Sequence, residues 1–368
     1  MIAADQPVQR PPQAKLLVID AQGRLAHEPR ERFVERLRPH DLLIANDAAT
    51  LPASLHGVHV PSGQAIEVRL AGRASLAVEE VREFSAVVFG PGDHRTRTED
   101  RPAPPPLRAG DLLALGHGAA ALYATVQRSL DHPRLVALRL HGTPDAIWAA
   151  LARHGKPVQY AHMAQPLKLW DVWTPIAGAP VAFEPPSAGF VLDWASVRRL
   201  RERGAGFATL THAAGLSSTG DPALDARLPF DEPYFIPAAT VRAIHDAWAH
   251  GGRVVAVGTT VVRALEHAAS RSRGAGLPAG PGLATQKIGP HTQLQVVDVL
   301  LSGTHEAGTS HYELLRAFAD DASLRRADVA LEQAGYRTHE FGDSVWVERR
   351  RVAAGAPAAP AARAAVPA

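Results

Sequence analysis

The sequence predicts an α/β fold interrupted by a small all-β insertion, and three observations carry that expectation. Residues 251–269, GGRVVAVGTTVVRALEHAA, pass from a β-branched run through a glycine turn into helical apolar spacing, a strand–turn–helix unit. Between about Leu55 and Leu140 the texture changes to five or six short, partly alternating runs, which suit a small antiparallel barrel or sandwich. After Thr143 helical and strand patterns alternate again. The expected division is a discontinuous main domain over 1–56 and 147–348, an insertion over 57–146, and a disordered Ala/Pro tail over 349–368.

Composition narrows the classes. A chain of 368 residues can bury a substantial core, and 46% apolar with 21% charged content is ordinary for an enzyme. There is no cysteine, so disulfides, thiolate metal sites and a cysteine nucleophile are excluded. No apolar run approaches the roughly 20 residues of a membrane helix, and the polar N-terminus is no signal peptide, so a cytoplasmic protein without membrane contact is expected. The formal charge is only +2, so any nucleic-acid contact must come from local patches.

In chain order, residues 1–14 read as a loose lead-in, 15–19 as a strand, and 28–38 as a surface helix with Phe33, Val34 and Leu37 on its apolar face. Residues 42–45 are a second strand leading into Asn46-Asp47. Residues 91–110, with four prolines in 102–106 and four arginines, read as a long mobile loop. Thr143-Pro144 opens a helix that Gly155 ends. The stretch 160–189 has little periodicity and many prolines, as functional loops do; Trp170 and Trp173 within it read as core, or as cation–π partners of a bound cation. Asp193 caps a helix with Trp194, Val197 and Leu200 inward and Arg198, Arg199, Arg201 and Arg203 outward, a solvated face or an RNA-facing stripe. Residues 207–210 form a strand delivering Thr211-His212, and Pro237 opens a helix ending at Gly251. Beyond a linker at 271–282, 294–301 is an apolar segment, Ser310 with Glu313 makes a capping-box pattern, 324–335 is a helix, and 336–348 reads as a hairpin turning at Gly342-Asp343.

Gly258-Thr259-Thr260 sits where a strand ends and a helix begins, which brings unpaired N–H groups and two hydroxyls to a strand's carboxyl end. Such an N-terminus suits an anionic group. No capping box forms, because Arg263 stands three residues after Thr260. Arg263 is then available to a carboxylate or phosphate, or is paired with Glu266 on an ordinary helix; the spacing alone leaves both open.

Five stretches also carry a resemblance. DLLIANDAATLPASLHG at 41–57, PPSAG at 185–189, GRVVAVGTTVVRALEHAA at 252–269, QVVDVLLSGTHEAGTSHYELLRAF at 295–318 and YRTHEFGDSVWV at 336–347 occur in the order of the motifs of one family. The chain resembles the S-adenosylmethionine:tRNA ribosyltransferase-isomerase family of queuosine biosynthesis. The resemblance implies a barrel-like main α/β domain with an inserted β-barrel. It also implies transfer of the ribosyl group of S-adenosylmethionine to 7-aminomethyl-7-deazaguanine at the tRNA wobble position. Isomerisation there gives epoxyqueuosine and releases adenine and methionine. S-adenosylmethionine is then a co-substrate, no separate cofactor is expected, the tRNA partner is met at its anticodon region, and a monomer is expected.

The chain departs from the family pattern where two arginines fall on Ala49 and Ser54 and a histidine falls on Val191. These departures keep two alternatives open: a paralogue that binds S-adenosylmethionine or RNA without catalysis, and a ribosyltransferase with a non-tRNA acceptor. The chemistry needs a base beside the sulfonium, an acid for adenine departure and a holder for the methionine carboxylate. His305 and His212 stand in motif positions for the proton work, with His162 less supported. Ser187, Gly189, Gly258, Thr259, Thr260, Arg263 and Thr309 are the substrate-binding candidates. His305-Glu306 with His311 lacks the His-Glu-x-x-His spacing, so no metal is expected, and no serine-hydrolase elbow, Walker or Rossmann glycine pattern is present.

Overall fold

The computed structural model describes residues 1–272 and 276–350. The main body is a nine-stranded mixed sheet in the order Gly280–Ala284, Glu232–Ile236, Gly206–His212, Leu42–Asn46, Val254–Val257, Val299–Gly303, Ser344–Glu348, Lys15–Ile19, Leu25–Pro29. The four strands from Gly206–His212 to Val299–Gly303 run parallel, and antiparallel strands flank them. Their apolar runs are near-continuous because helices cover both faces. Successive residues take opposite sides: Leu42, Ile44, Val254 and Ala256 join the core under helices Ala238–Ala249, Thr259–Arg271 and Asp321–Gln333. Leu43, Ala45, Val255 and Val257 face the other way, onto Phe33, Val197 and Leu200. Each such valine, leucine, isoleucine or phenylalanine contributes about 1.5–3 kcal/mol on burial.

Six strands, Ser54–His59, Gln64–Gly72, Glu83–Phe89, Leu112–Leu115, Leu122–His132 and Leu135–Leu140, close into an antiparallel barrel with its own core. Gly57 is required at one seam: a Cβ there would lie 2.1 Å from the Ala114 carbonyl oxygen. Inside sits a buried ionic cluster. Glu67 accepts from Arg69 Nε at 2.8 Å and from Arg101 Nη1, and Ser54 Oγ donates to it at 2.8 Å.

The α/β class and the inserted barrel are as expected, but the main sheet is open rather than barrel-like. Its edges, Gly280–Ala284 and Leu25–Pro29, carry proline and half-exposed residues that discourage further pairing. The expected helix over 28–38 is a 3-10 helix, Arg30–Arg36, because pairing with Lys15–Ile19 holds Leu25–Pro29 extended. The hairpin at 336–348 does not form. Arg337–Thr338 pairs instead with Ile2–Ala3, and Asp343 accepts from the Arg337 and Lys15 amides at 2.8 and 2.6 Å. Ser344–Glu348 inserts between Val299–Gly303 and Lys15–Ile19. Thr309, not Ser310, caps the helix Ser310–Leu315, accepting from the Tyr312 amide at 3.2 Å. The proline-rich loop is pinned rather than mobile, since Arg101 also donates to the Gly90 and Gly92 carbonyls at 3.1 and 3.0 Å. Trp194, read as inward, is 70% exposed, and Trp170 and Trp173, read as core, are 68% and 41% exposed. The tail over 351–368 and part of the 271–282 linker lie outside the described residues. Arg349 and Arg350 are held by bonds to Asp298 and Phe318. No helix among the described residues is long and apolar enough to cross a membrane.

Candidate active site

The carboxyl ends of three of the four parallel strands, Gly206–His212, Val254–Val257 and Val299–Gly303, converge on one pocket, where ligands bind in open α/β sheets. Val254–Val257 delivers Gly258, Thr259 and Thr260; Val299–Gly303 delivers Ser302 and His305; Ser187 and Glu184 close one side, and Glu232, Arg263 and His311 another. The enclosed volume is about 100 Å³, below the roughly 300–1,000 Å³ of ordinary ligand pockets. A nucleoside-sized ligand therefore extends through the mouth.

Gly258 turns the chain with φ +94°, a left-handed conformation that favours glycine, while its N–H donates to the Leu301 carbonyl at 2.8 Å. No side chain caps the helix Thr259–Arg271, so its first amides are left toward the pocket. Asn46 fixes the strand ends: Nδ2 donates to the His212 carbonyl at 2.9 Å and to Thr260 Oγ1 at 3.2 Å, and Oδ1 accepts from the His212 amide at 3.0 Å.

Arg263 lines the pocket with its terminal nitrogens already engaged and its Nε without a hydrogen-bond partner. It is buried and bonded to Glu232, and Nη2 donates to the Ala284, Gln286 and Phe230 carbonyls at 3.0, 3.2 and 3.3 Å. Nor does it pair with Glu266, which accepts from the amides of Gln295, Val296 and Val297. The sequence could not show this, because Glu232 is 31 residues away on an antiparallel strand.

His305 lines the pocket. Its Nε2 meets Ser302 Oγ at 2.8 Å and its ring stacks on His311 at 4.8 Å. Burial, then the neighbouring His311 and His339, hold its imidazole well below its ordinary pKa, so it is neutral at pH 7. His212 stands behind the pocket wall, fully buried, with Nε2 3.4 Å from Glu232 Oε2. Burial and then Arg263 keep it neutral as well. Ser187 lines the pocket, whereas Gly189 packs behind it, where a Cβ would lie 3.0 Å from Thr174 Cγ2. Thr309 uses its hydroxyl as the helix cap and lies outside the lining. Val191 is in the core, Ala49 is buried in the short strand Ala49–Thr50, and Ser54 belongs to the barrel cluster, so none of the three departures lines the pocket.

Glu184 is the residue the sequence reading missed. It is 8% exposed on the pocket wall, with the Tyr160 hydroxyl donating to it and no cation bonded to it among the described residues. Burial pushes its carboxyl up to about 7, against the lowering effect of the Tyr160 bond. The one signal was a lone glutamate ending the apolar run Val181-Ala182-Phe183. Just outside the pocket lining, His162, His339 and Glu340 bring possible ligand atoms within 4.8 Å of one another. The two rings are stacked at 4.1 Å and 15°, so their in-plane lone pairs run side by side instead of converging on one ion, and His162 Nε2 is 3.2 Å from Glu340.

The family described as "Queuosine biosynthesis protein" matches residues 1–347. The chain belongs to that family. Its relatives include an S-adenosylmethionine:tRNA ribosyltransferase-isomerase of Sorangium cellulosum, 31% identical with 94% of this chain and 95% of that one covered. Another of the same name, from Azoarcus sp., is 32% identical over 95% of this chain and 94% of that one. A solved S-adenosylmethionine tRNA ribosyltransferase from Thermotoga maritima is 21% identical, covers 94% of this chain and 96% of that chain, and has a TM-score of 0.48. In this member of the queuosine family the pocket offers a neutral imidazole and a protonatable carboxyl, and its buried guanidinium is already paired.

Proposed function

We propose that this chain is an S-adenosylmethionine:tRNA ribosyltransferase-isomerase. In this reading it transfers the donor's ribosyl group to 7-aminomethyl-7-deazaguanine at the tRNA wobble position and isomerises it. The products are epoxyqueuosine, adenine and methionine. Family membership and relatives of that name across nearly the whole chain support the reading. The observation that carries it is chemical: one pocket at the strand ends holds both a neutral His305 and the proton-holding Glu184. Environments that set two titratable groups to different protonation states divide base from acid.

His305, neutral and oriented by Ser302, takes the proton beside the sulfonium. Glu184, protonated on a fair share of molecules near pH 7, gives its proton to the departing adenine. With Arg263 engaged, the methionine carboxylate falls to the uncapped amides at Thr259–Arg271 and the hydroxyls of Thr259 and Ser187. S-adenosylmethionine serves as co-substrate, the tRNA is met at its anticodon region, and the chain acts as a monomer without a separate cofactor.

The losses at Ala49 and Ser54 favour one second reading, the same donor chemistry on a different acceptor. Incubation with S-adenosylmethionine and tRNA bearing the aminomethyl-deazaguanine, followed by assay of adenine and of the nucleoside's mass, separates them. Adenine with the mass gain of the modified nucleoside is expected. No adenine and no mass change would overturn the proposal, and adenine only with another acceptor would replace it with the second reading.

A further inference from the structure

A second cleft, of about 610 Å³, lies where the barrel mouth meets the end of the helix Pro144–His154. Three cations from two parts of the chain reach it: Arg95 from the proline-rich loop, and Arg153 and Lys156 from the end of the helix and just beyond it. All three are exposed. The negative charges that share the cleft neutralise only one of them. Glu67 is committed to Arg69 and Arg101, and Asp93 pairs with Arg95 at 3.6 Å, which leaves Arg153 and Lys156 as the cations without a carboxylate. Among the described residues no carboxylate is paired with Arg153 or Lys156.

Four imidazoles, His56, His94, His117 and His154, line the same cleft. The Nε2 of His56 and of His154 meet the Gly92 and Ala120 carbonyls at 3.2 and 2.8 Å, which makes those nitrogens donors and leaves each Nδ1 for another partner. His94 Nε2 is buried with no hydrogen-bond partner, a condition that calls for an explanation in a folded protein. Gly116 keeps the space clear, because a Cβ there would lie 2.4 Å from the His154 ring. Cations at a helix carboxyl end also complement its dipole, but that accounts only for Arg153 and Lys156, not for Arg95 and His94.

A relay of side chains connects the cleft with the active-site pocket. Gln159 lines the cleft and its neighbour Tyr160 bonds Glu184 in the pocket. The Arg69 guanidinium joins the two sides, bonded to Glu67 and 5.6 Å from the centre of the Tyr160 ring.

We propose that this cleft is a phosphate-backbone site for the RNA whose nucleoside enters the adjacent pocket. The proposal rests on the RNA-acceptor reading above. Cations at a helix end and on the facing loop, with four imidazoles between them, suit a row of phosphates rather than one small anion, and such a lining reads backbone rather than base sequence.

The test compares the parent chain with the double variant Arg153→Gln/Lys156→Gln for binding of a tRNA anticodon stem-loop by fluorescence anisotropy across a salt series. Each lost phosphate contact lowers the slope of log affinity against log salt by about 0.7–0.9, so the expected drop is about 1.4–1.8, with at least tenfold weaker binding near 0.1 M salt. S-adenosylmethionine binding by calorimetry and the thermal midpoint should match the parent, which excludes misfolding. Inorganic phosphate at matched ionic strength should compete no better than chloride; strong competition would mean a single-anion site and overturn the RNA assignment. RNA binding with unchanged slope and affinity in the variant would reject the cleft while leaving the acceptor reading standing. A parent that binds no RNA would also reject it, and adenine release with other acceptors would then judge the function separately.

Discussion

Glu67 and Glu184 are both buried glutamates, joined through Arg69 and Tyr160, yet their surroundings treat them oppositely. Glu67, in the barrel, has two guanidiniums bonded to it, and they hold its carboxyl down to about 2 in spite of burial. Glu184, on the pocket wall, has a tyrosine hydroxyl and no cation, and burial pushes it up to about 7. The same side chain is an anchor in one region and a proton carrier in the other. Burial cost sets the difference: a charge stays buried where it is paired and hydrogen-bonded, and otherwise the group takes a proton.

The largest expected effect comes from breaking the anchor. Glu67→Gln strands two buried guanidiniums and should lower unfolding free energy at pH 7 by about 3–5 kcal/mol in urea titration. A loss under 1 kcal/mol would show that the cluster does not hold the barrel. Arg263→Ala should cost a similar amount, because it leaves Glu232 buried without its cation. Weakened donor binding with undiminished stability would return Arg263 to the role its spacing suggested.

A pH series sharpens the contrast, since the two linkages have opposite signs. Glu67, depressed from 4.5, contributes stability that is complete above about 4.5 and lost as pH falls toward about 2. Glu184, raised from 4.5, contributes stability that is complete below about 4.5 and lost as pH rises through about 7. Each swing is on the order of 3 kcal/mol. Relative to the parent, Glu184→Gln should therefore gain stability as pH rises from 5 to 8; a constant difference would remove the proton from Glu184. Tyr160→Phe is the smallest change, a loss of about 1 kcal/mol. Without that donated bond Glu184 should rise further, and any activity limb it sets should move to higher pH.

The sequence disclosed the elements whose signals are local. The strand–glycine–helix unit at Gly258 and the Thr143 and Asp193 caps need only neighbouring residues, and the barrel strands show their alternation within a few residues each. What stayed hidden depends on distant partners. Arg263 could be judged only with Glu232 in view, and Ser344–Glu348 pairs with strands near residues 15 and 300 instead of with its neighbour in the chain. The pocket was half legible. Thr259, Thr260, Ser187 and His305 carry motif positions and do line it. Glu184 carries none, and its importance comes from burial beside Tyr160.

The account turns on Glu184 holding the proton that leaves with adenine. The decisive measurement is the rate of adenine release against pH, from 5.5 to 9, for the parent and Glu184→Gln with saturating S-adenosylmethionine and acceptor tRNA. The parent should show a descending limb centred near pH 7. The variant should be slower by about 10²–10⁴-fold and lack that limb, while remaining folded across the whole pH range. A variant that keeps both the rate and the limb would contradict the account.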